Sequence, residues 1–233
     1  MITFSLIIPC YNEAANLPAL VERIRATVDR PDVEVILVDN GSTDASPEVL
    51  ASLLSEGGRI RTVRVPENQG YGYGILSGLA AAKGDILGWT HADMQTDPAD
   101  CLKGLALFEQ TGRRDLFVKG QRYGRPASDV FFTTGMAAFE SVLLGHAFSD
   151  INAQPTMFSR RLYDTWRNPP HDFSLDLYAY YSAKAGGCAV RRFPVNFGER
   201  LHGVSSWNVN WASKMKFIRR TLDYSFRLKR NLA

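Results

Sequence analysis

The chain has 233 residues, 45% of them hydrophobic, and a formal net charge of +3 at neutral pH. That is enough chain to bury a core as one domain, and too little charge to imply a nucleic-acid partner. No apolar run reaches the roughly 18 residues that span a bilayer, and Cys10, Cys101 and Cys188 lack both metal-site spacing and the density of a disulfide framework. With no basic leader ahead of the first apolar segment, the expected location is the cytoplasm.

Residues 4–8 form an apolar run of strand length. Asn12 stands where a helix cap is expected, ahead of Leu17, Leu20, Val21, Ile24 and Val28 at helical spacing. A second strand is expected at 33–38. Ser46 and Pro47 then suit the cap and first turn of a helix that turns Val49, Leu50, Leu53 and Leu54 inward and ends at Gly57-Gly58. A third strand at 60–65, a helix through Ile75, Leu79 and Ala82, and a fourth strand at 85–89 follow. The second half is less regular, with strands expected at 116–119 and 189–195 and helices at 130–144 and 172–185. Strands alternating with helices imply an α/β fold: a mostly parallel sheet, helices on both faces, and ligands at the carboxyl ends of the strands. That domain is expected to cover 1–206, with a basic amphipathic helix over 207–233.

Three stretches lie at such strand ends: 5–13 (SLIIPCYNE), 35–44 (VILVDNGSTD) and 90–98 (THADMQTDP). Acids placed there can hold a ribose directly and a diphosphate through a divalent cation, which points to a nucleotide-sugar site. A single strand-end Asp would say little, because it commonly just forms a turn. The glycine-rich segment 68–78 (NQGYGYGILSG) follows the third strand and lacks the G-x-G-x-x-G order, which argues against a dinucleotide oxidoreductase. Its glycines suggest close approach of backbone to the nucleotide.

PCYNE, VDNGSTD and ADMQ, followed by KGQRYGR, SDINAQPTMFSR and ERLHGVSSW, resemble the motifs of family 2 glycosyltransferases. The resemblance is strongest to the polyprenyl-phosphate sugar transferases typified by dolichyl-phosphate mannose synthase, and extends to about Trp207. It implies a glycosyltransferase A type domain, an inverting transfer from a nucleotide diphosphate sugar, and a divalent metal, Mn or Mg. Residue by residue, it implies Pro9, Tyr11 and Glu13 at the base and ribose, and Asp39 and Asp93 at the nucleotide. Asp93 matches the second acid of an Asp-x-Asp element and Gln95 a metal-coordinating amide. Arg122 and Arg200 match basic residues near the acceptor and donor phosphates, and Asp150 an acid leading to the acceptor side. His91 replaces the first acid of Asp-x-Asp, and either joins the metal's ligands or packs beside them.

An inverting transfer divides into stabilising the leaving diphosphate and activating the nucleophile. Metal on Asp93 and Gln95, with Arg200, would serve the first. A phosphate acceptor needs positioning, which Arg122 supplies, whereas a hydroxyl acceptor needs a carboxylate base, for which Asp176 is the candidate. Asp176 also fits a solvated helix acid.

In the tail, Trp211, Met215, Ile218, Leu222 and Phe226 form one helical stripe among Lys214, Lys216, Arg219, Arg220, Arg227, Lys229 and Arg230. Such a helix suits an anionic membrane surface or packs on its own domain with the basic face in water. The expectation is a peripheral enzyme on the cytoplasmic face of a membrane, acting on a lipid-linked acceptor. Transfer to a sugar hydroxyl, or nucleotide-sugar binding without catalysis, are the alternatives.

Overall fold

The computed structural model describes residues 3–55, 58–202 and 211–230. In chain order the elements are β1 (Phe4–Cys10), α1 (Leu17–Thr27), β2 (Val33–Asn40), α2 (Ser46–Leu53), β3 (Ile60–Val65), α3 (Tyr71–Ala81), β4 (Ile86–Trp89) and α4 (Asp100–Thr111). They continue through β5 (Leu116–Tyr123), α5 (Ala127–Leu144), β6 (Thr156–Ser159), α6 (Arg160–Tyr163), α7 (Leu175–Ala185), β7 (Ala189–Asn196) and α8 (Trp211–Arg230). One seven-stranded sheet has the order β3-β2-β1-β4-β6-β5-β7. β6 runs antiparallel to both its neighbours, β4 and β5, and every other pairing is parallel.

Strand alternation sorts the core onto two faces. Ile7, Ile36, Val38, Trp89 and Phe158 pack with Ile75 and Leu79 of α3 and Ala179 and Ala183 of α7. Leu6, Ile8, Leu37 and Met157 pack with Leu20 and Ile24 of α1, Leu50 of α2, and Leu105 and Phe108 of α4. Strand order reverses at β1, which has β2 on one side and β4 on the other. The ligand crevice of such a sheet opens at that point, outside the carboxyl ends.

Several local expectations change. Asn12 does not cap α1, which starts at Leu17; it adopts φ 56 and bonds across to the next loop. Ser46 lies inside the first turn of α2 with its hydroxyl committed to Glu13 N, while Asp44 Oδ1 receives Ser46 N. α2 ends at Leu53, and Gly57 lies outside the described residues. α7 begins at Leu175 rather than at residue 172, and Asp172 precedes it, accepting from Ser174 N. β6 and α4 have no counterpart in the sequence-based elements.

α8 packs on α5 and on the loop before α7. Ser225 Oγ lies 2.6 Å from Glu140 Oε1, Phe226 meets Phe139 edge-on, and Arg220 reaches Asp172 and the Phe173 ring. The inward face carries Tyr224, Ser225 and Leu228, whereas Met215 and Phe226 of the expected stripe are about half exposed. The Trp211 side chain and the 206/207 boundary lie outside what is described. Among the described residues, no helix is long and apolar enough to cross a membrane.

Lys119 is an unusual core residue. It is fully buried on β5, with Nζ 2.6 Å from Thr156 Oγ1 and close to the Phe117 and Tyr180 rings. Burial lowers its pKa to about 7, only partly opposed by Asp176. Because the folded pKa lies below the unfolded one, the unfolded chain binds the extra proton between the two values, and stability rises with pH across that window. Lys119→Met should therefore be more stable than the parent at pH 7, and its advantage should shrink toward pH 10 by at most about 1.4 kcal/mol per pH unit. Urea unfolding at several pH values measures this; a pH-independent gap would mean that Lys119 folds in its charged form.

Candidate active site

The loops after β1 and β2 are stitched together by side chains acting on backbone. Asn12 Oδ1 accepts from Thr43 N and Asp44 N, Glu13 N donates to Ser46 Oγ, and Ala14 N donates to Asp44 Oδ2. These bonds hold the segment after β1, which carries Tyr11 and Glu13, against the loop that follows Asp39. Pro9 is tolerated in a central strand because β1 pairs with β4 only as far as Ile7, so its missing N–H falls beyond that ladder. Tyr11 leaves its ring about half exposed.

Asp39, at the end of β2, is 3% exposed. Its Oδ1 accepts from Ser42 N at 3.0 Å, and its Oδ2 makes no hydrogen bond although Arg64 Nε lies 3.5 Å away. Glu13 accepts from Asn16. Burial raises the Glu13 pKa against that hydrogen bond, with Asp93 adding to the rise and Arg200 opposing it.

Asp93, just past β4, is 4% exposed. Gln95 N donates to its Oδ1 at 3.1 Å, and Arg200 Nη2 lies 2.9 Å from its Oδ2. His91 lies beside the Tyr71 ring at 5.8 Å. Burial lowers its pKa, opposed first by Asp93 and then by Asp176, which favours the neutral imidazole, the form that binds metal. The charges of Asp93, Asp176, Arg122 and Arg200 all act on His91, so the turn after β4, the start of α7 and the end of β5 border one region.

Among the described residues, no three His, Cys, Asp or Glu side chains gather as a metal cluster. The local donor set of one carboxylate, a neutral imidazole and an amide nevertheless fits a divalent ion that takes its remaining ligands from a diphosphate. Arg200 on Asp93 Oδ2 shows that this oxygen is a cation position.

Asp176 is not a solvated helix acid. It is 2% exposed, and its Oδ1 accepts from Trp89 Nε1 at 3.2 Å and Gln154 Nε2 at 2.7 Å. Arg122 grips Asp150 through its backbone N–H and its guanidinium, and stacks 5.1 Å over Phe197. Arg125, which the motif reading passed over, lies 3.6 Å from the same carboxylate, and its Nε is buried without a hydrogen bond. The R-x-x-R spacing within KGQRYGR was the available signal. Burial and the charge of Arg122 lower the Arg125 pKa. Two guanidiniums on one carboxylate leave a surplus positive charge, beside a cavity of about 60 Å³ lined by Arg122, Phe132, Met136, Glu140, Ile151 and Leu177 among others.

The glycines of 68–78 do permit close approach, but to protein. A Cβ on Gly70 or Gly72 would strike the backbone of 170–172, and one on Gly74 would strike Asn40. They seat α3 against the loop before α7, where Tyr71 stacks on Phe173.

The profile of Glycosyl transferase family 2 matches residues 5–174. The chain belongs to that family. Among similar relatives of this family 2 chain is the undecaprenyl-phosphate 4-deoxy-4-formamido-L-arabinose transferase of Aeromonas hydrophila, 39% identical over 99 residues, which cover 41% of this chain and 30% of that protein. The enzyme of the same name from Pseudomonas savastanoi is 36% identical over 110 residues, covering 46% and 32%. The matches thus span about a third of these relatives' length. Glucosyl-3-phosphoglycerate synthase of Mycobacterium tuberculosis, solved with Mn2+, UDP and glucosyl-3-phosphoglycerate, superposes with TM-score 0.70 at 20% identity, covering 97% of this chain and 79% of that one. Its complex with Mn2+ and UDP-glucose gives TM-score 0.70 at 23% identity, with 96% and 78% covered. The fold is the expected glycosyltransferase A type.

Asp176 offers a test of structure against chemistry. Asp176→Ala strands two buried donors and should cost about 3 kcal/mol, while Asp176→Asn keeps Oδ1 and should cost less than half of that. Chemical denaturation decides; equal small losses would mean that the Trp89 and Gln154 bonds do not support the fold.

Proposed function

We propose that this family 2 member transfers a sugar, with inversion, from a nucleotide diphosphate donor at the ends of β1, β2 and β4 to a polyprenyl phosphate. The observation that carries this is a pair of nearly buried carboxylates on either side of the β1 switch point, Asp39 with an unbonded oxygen and Asp93 already holding a cation. A buried carboxylate oxygen needs a donor, and the ring N–H of a base or a ribose hydroxyl supplies one. Pro9 and Tyr11 form the slot for the base, and Glu13 takes the ribose.

Asp93, Gln95 and His91 would hold the divalent metal, Mn or Mg, which neutralises charge developing on the leaving diphosphate. Arg200 contributes a second cation for that diphosphate. On the acceptor side, the surplus charge of Arg122 and Arg125 over Asp150 suits a phosphate, which is already anionic and needs placing more than deprotonating. The commitment of Asp176 Oδ1 to Trp89 and Gln154 agrees with a reaction that requires no free carboxylate base. Two relatives named as undecaprenyl-phosphate transferases support the same acceptor class.

The 1–206 segment is the catalytic domain in this reading, and the remainder of the chain adds the docked basic helix α8. Val130, Phe131 and Val142 on α5 and Met215 and Phe226 on α8 are exposed apolar side chains, and Arg219, Arg227, Lys229 and Arg230 are exposed along α8. That combination suits the anionic surface of a cytoplasmic leaflet, where a lipid-linked acceptor would be met.

Calorimetry of UDP, GDP, CDP and ADP, each with and without Mn2+, tests the donor site. One of them should bind more tightly with metal, and Asp93→Ala should abolish that gain while leaving the unfolding temperature within a few degrees. If no nucleoside diphosphate binds under any metal condition, the donor assignment fails.

Membrane contact has its own test in co-sedimentation with anionic vesicles. Replacing Arg227, Lys229 and Arg230 by Ala removes about 1 kcal/mol each, so affinity should fall roughly a hundredfold, with the wild-type binding also weakened by salt. Equal sedimentation of both proteins would leave α8 as a packing element alone.

A further inference from the structure

Segment 198–202 is strapped across the turn that carries Asp93 and Gln95. Gly198 N donates to Gln95 O at 2.9 Å, and Gln95 Nε2 returns a bond to Gly198 O at 3.2 Å. Asn16 Nδ2 reaches His202 O at 3.4 Å, closing the strap toward α1. In its middle, Arg200 places Nη2 2.9 Å from Asp93 Oδ2, while its Nε is buried with no acceptor. The guanidinium therefore has one bond to the carboxylate and a second donor uncommitted.

A divalent ion on Asp93 competes with Arg200 for this oxygen. The competition is uneven, because among the described residues no three His, Cys, Asp or Glu side chains gather there, and Asp93 with neutral donors makes too few ligands for tight binding by protein alone. A diphosphate changes both sides of the balance. Its oxygens complete the ion's coordination, and they also give Arg200 an anion to replace Asp93 and an acceptor for its Nε–H.

We infer that Arg200 is a placeholder cation on Asp93, exchanged for the divalent ion only when a diphosphate arrives to receive the guanidinium. This rests on the donor assignment proposed above and adds an order to it: metal and nucleotide bind as a unit. By linkage, the factor by which nucleotide strengthens metal binding equals the factor by which metal strengthens nucleotide binding.

The test reads free Mn2+ by its paramagnetic resonance signal during titration of wild type, Arg200→Gln and Arg200→Lys, with no nucleotide and with each of UDP, GDP, CDP and ADP. Wild type should hold Mn2+ weakly alone, and the best nucleotide should tighten it by about tenfold or more. Arg200→Gln should hold Mn2+ alone about tenfold more tightly than wild type and lose most of the nucleotide enhancement, whereas Arg200→Lys, which keeps the charge, should stay close to wild type. If wild type binds Mn2+ with nucleotide but Arg200→Gln binds Mn2+ alone no more tightly, the placeholder is overturned and the donor assignment stands. If wild type binds none of the four nucleoside diphosphates at any Mn2+ concentration, the two fall together.

Discussion

A carboxylate sealed at the end of a strand requires a cation, and the Asp93–Arg200 pair is where this chain meets that requirement. Asp93 is almost fully buried, and Asp39 stands equally buried on the other side of β1. Ionised together at one edge of the sheet, they would be costly without charge compensation. Arg64 answers Asp39 from β3, and Arg200 answers Asp93 from the segment that follows β7. The second answer depends on topology. Because β7 runs parallel to β5, its carboxyl end lies at the same edge as those of β1, β2 and β4, so the chain beyond Asn196 arrives over the 91–95 turn.

The proposed acceptor side uses the same physics with the opposite sign. Among the described residues, Arg122 and Arg125 both pair with the one carboxylate of Asp150, with Asp129 a further charge acting on Arg125. Close by, the cavity lining changes to Phe132, Met136, Ile151 and Leu177, and Glu140 joins it to α8 through Ser225. Burial raises the Glu140 pKa, so its carboxyl leans toward the neutral form inside that apolar wall. α8 is thus part of the cavity's construction as well as a carrier of basic charge, which ties any surface event on its outer face to the region around Arg122. Membrane docking and acceptor placement would then be one structural problem.

Elements with strong local periodicity were legible in the sequence: β1 to β4 and the helices between them, the two cores and the polar strand ends. β6 was not, because four residues are too few to show a period and gain their strand identity only from pairing with β4 and β5. α4 has no counterpart in the sequence-based elements, although Cys101, Leu105 and Phe108 recur at helical spacing. Asp176 misled in a different way. The start of α7 is buried on every side from Leu175 to Tyr180, so no amphipathic pattern could separate a core acid from a solvated one. The glycines of 70–74 suggested approach to the nucleotide, whereas their partners are protein: the 170–172 backbone, a hundred residues on, for Gly70 and Gly72, and Asn40 for Gly74. Pairings at such range, including Arg125 with Asp150 and Arg64 with Asp39, are invisible to local pattern.

The central claim is that Asp93 exchanges a guanidinium for a divalent ion when the diphosphate binds. A crystal grown with Mn2+ and the best-binding nucleoside diphosphate, with data collected for manganese anomalous scattering, tests it most directly. The account predicts one strong peak in the ligand shell of Asp93, bridged to the diphosphate, with Arg200 moved onto the phosphates. A peak elsewhere, or nucleotide bound while Arg200 still pairs with Asp93, would contradict it.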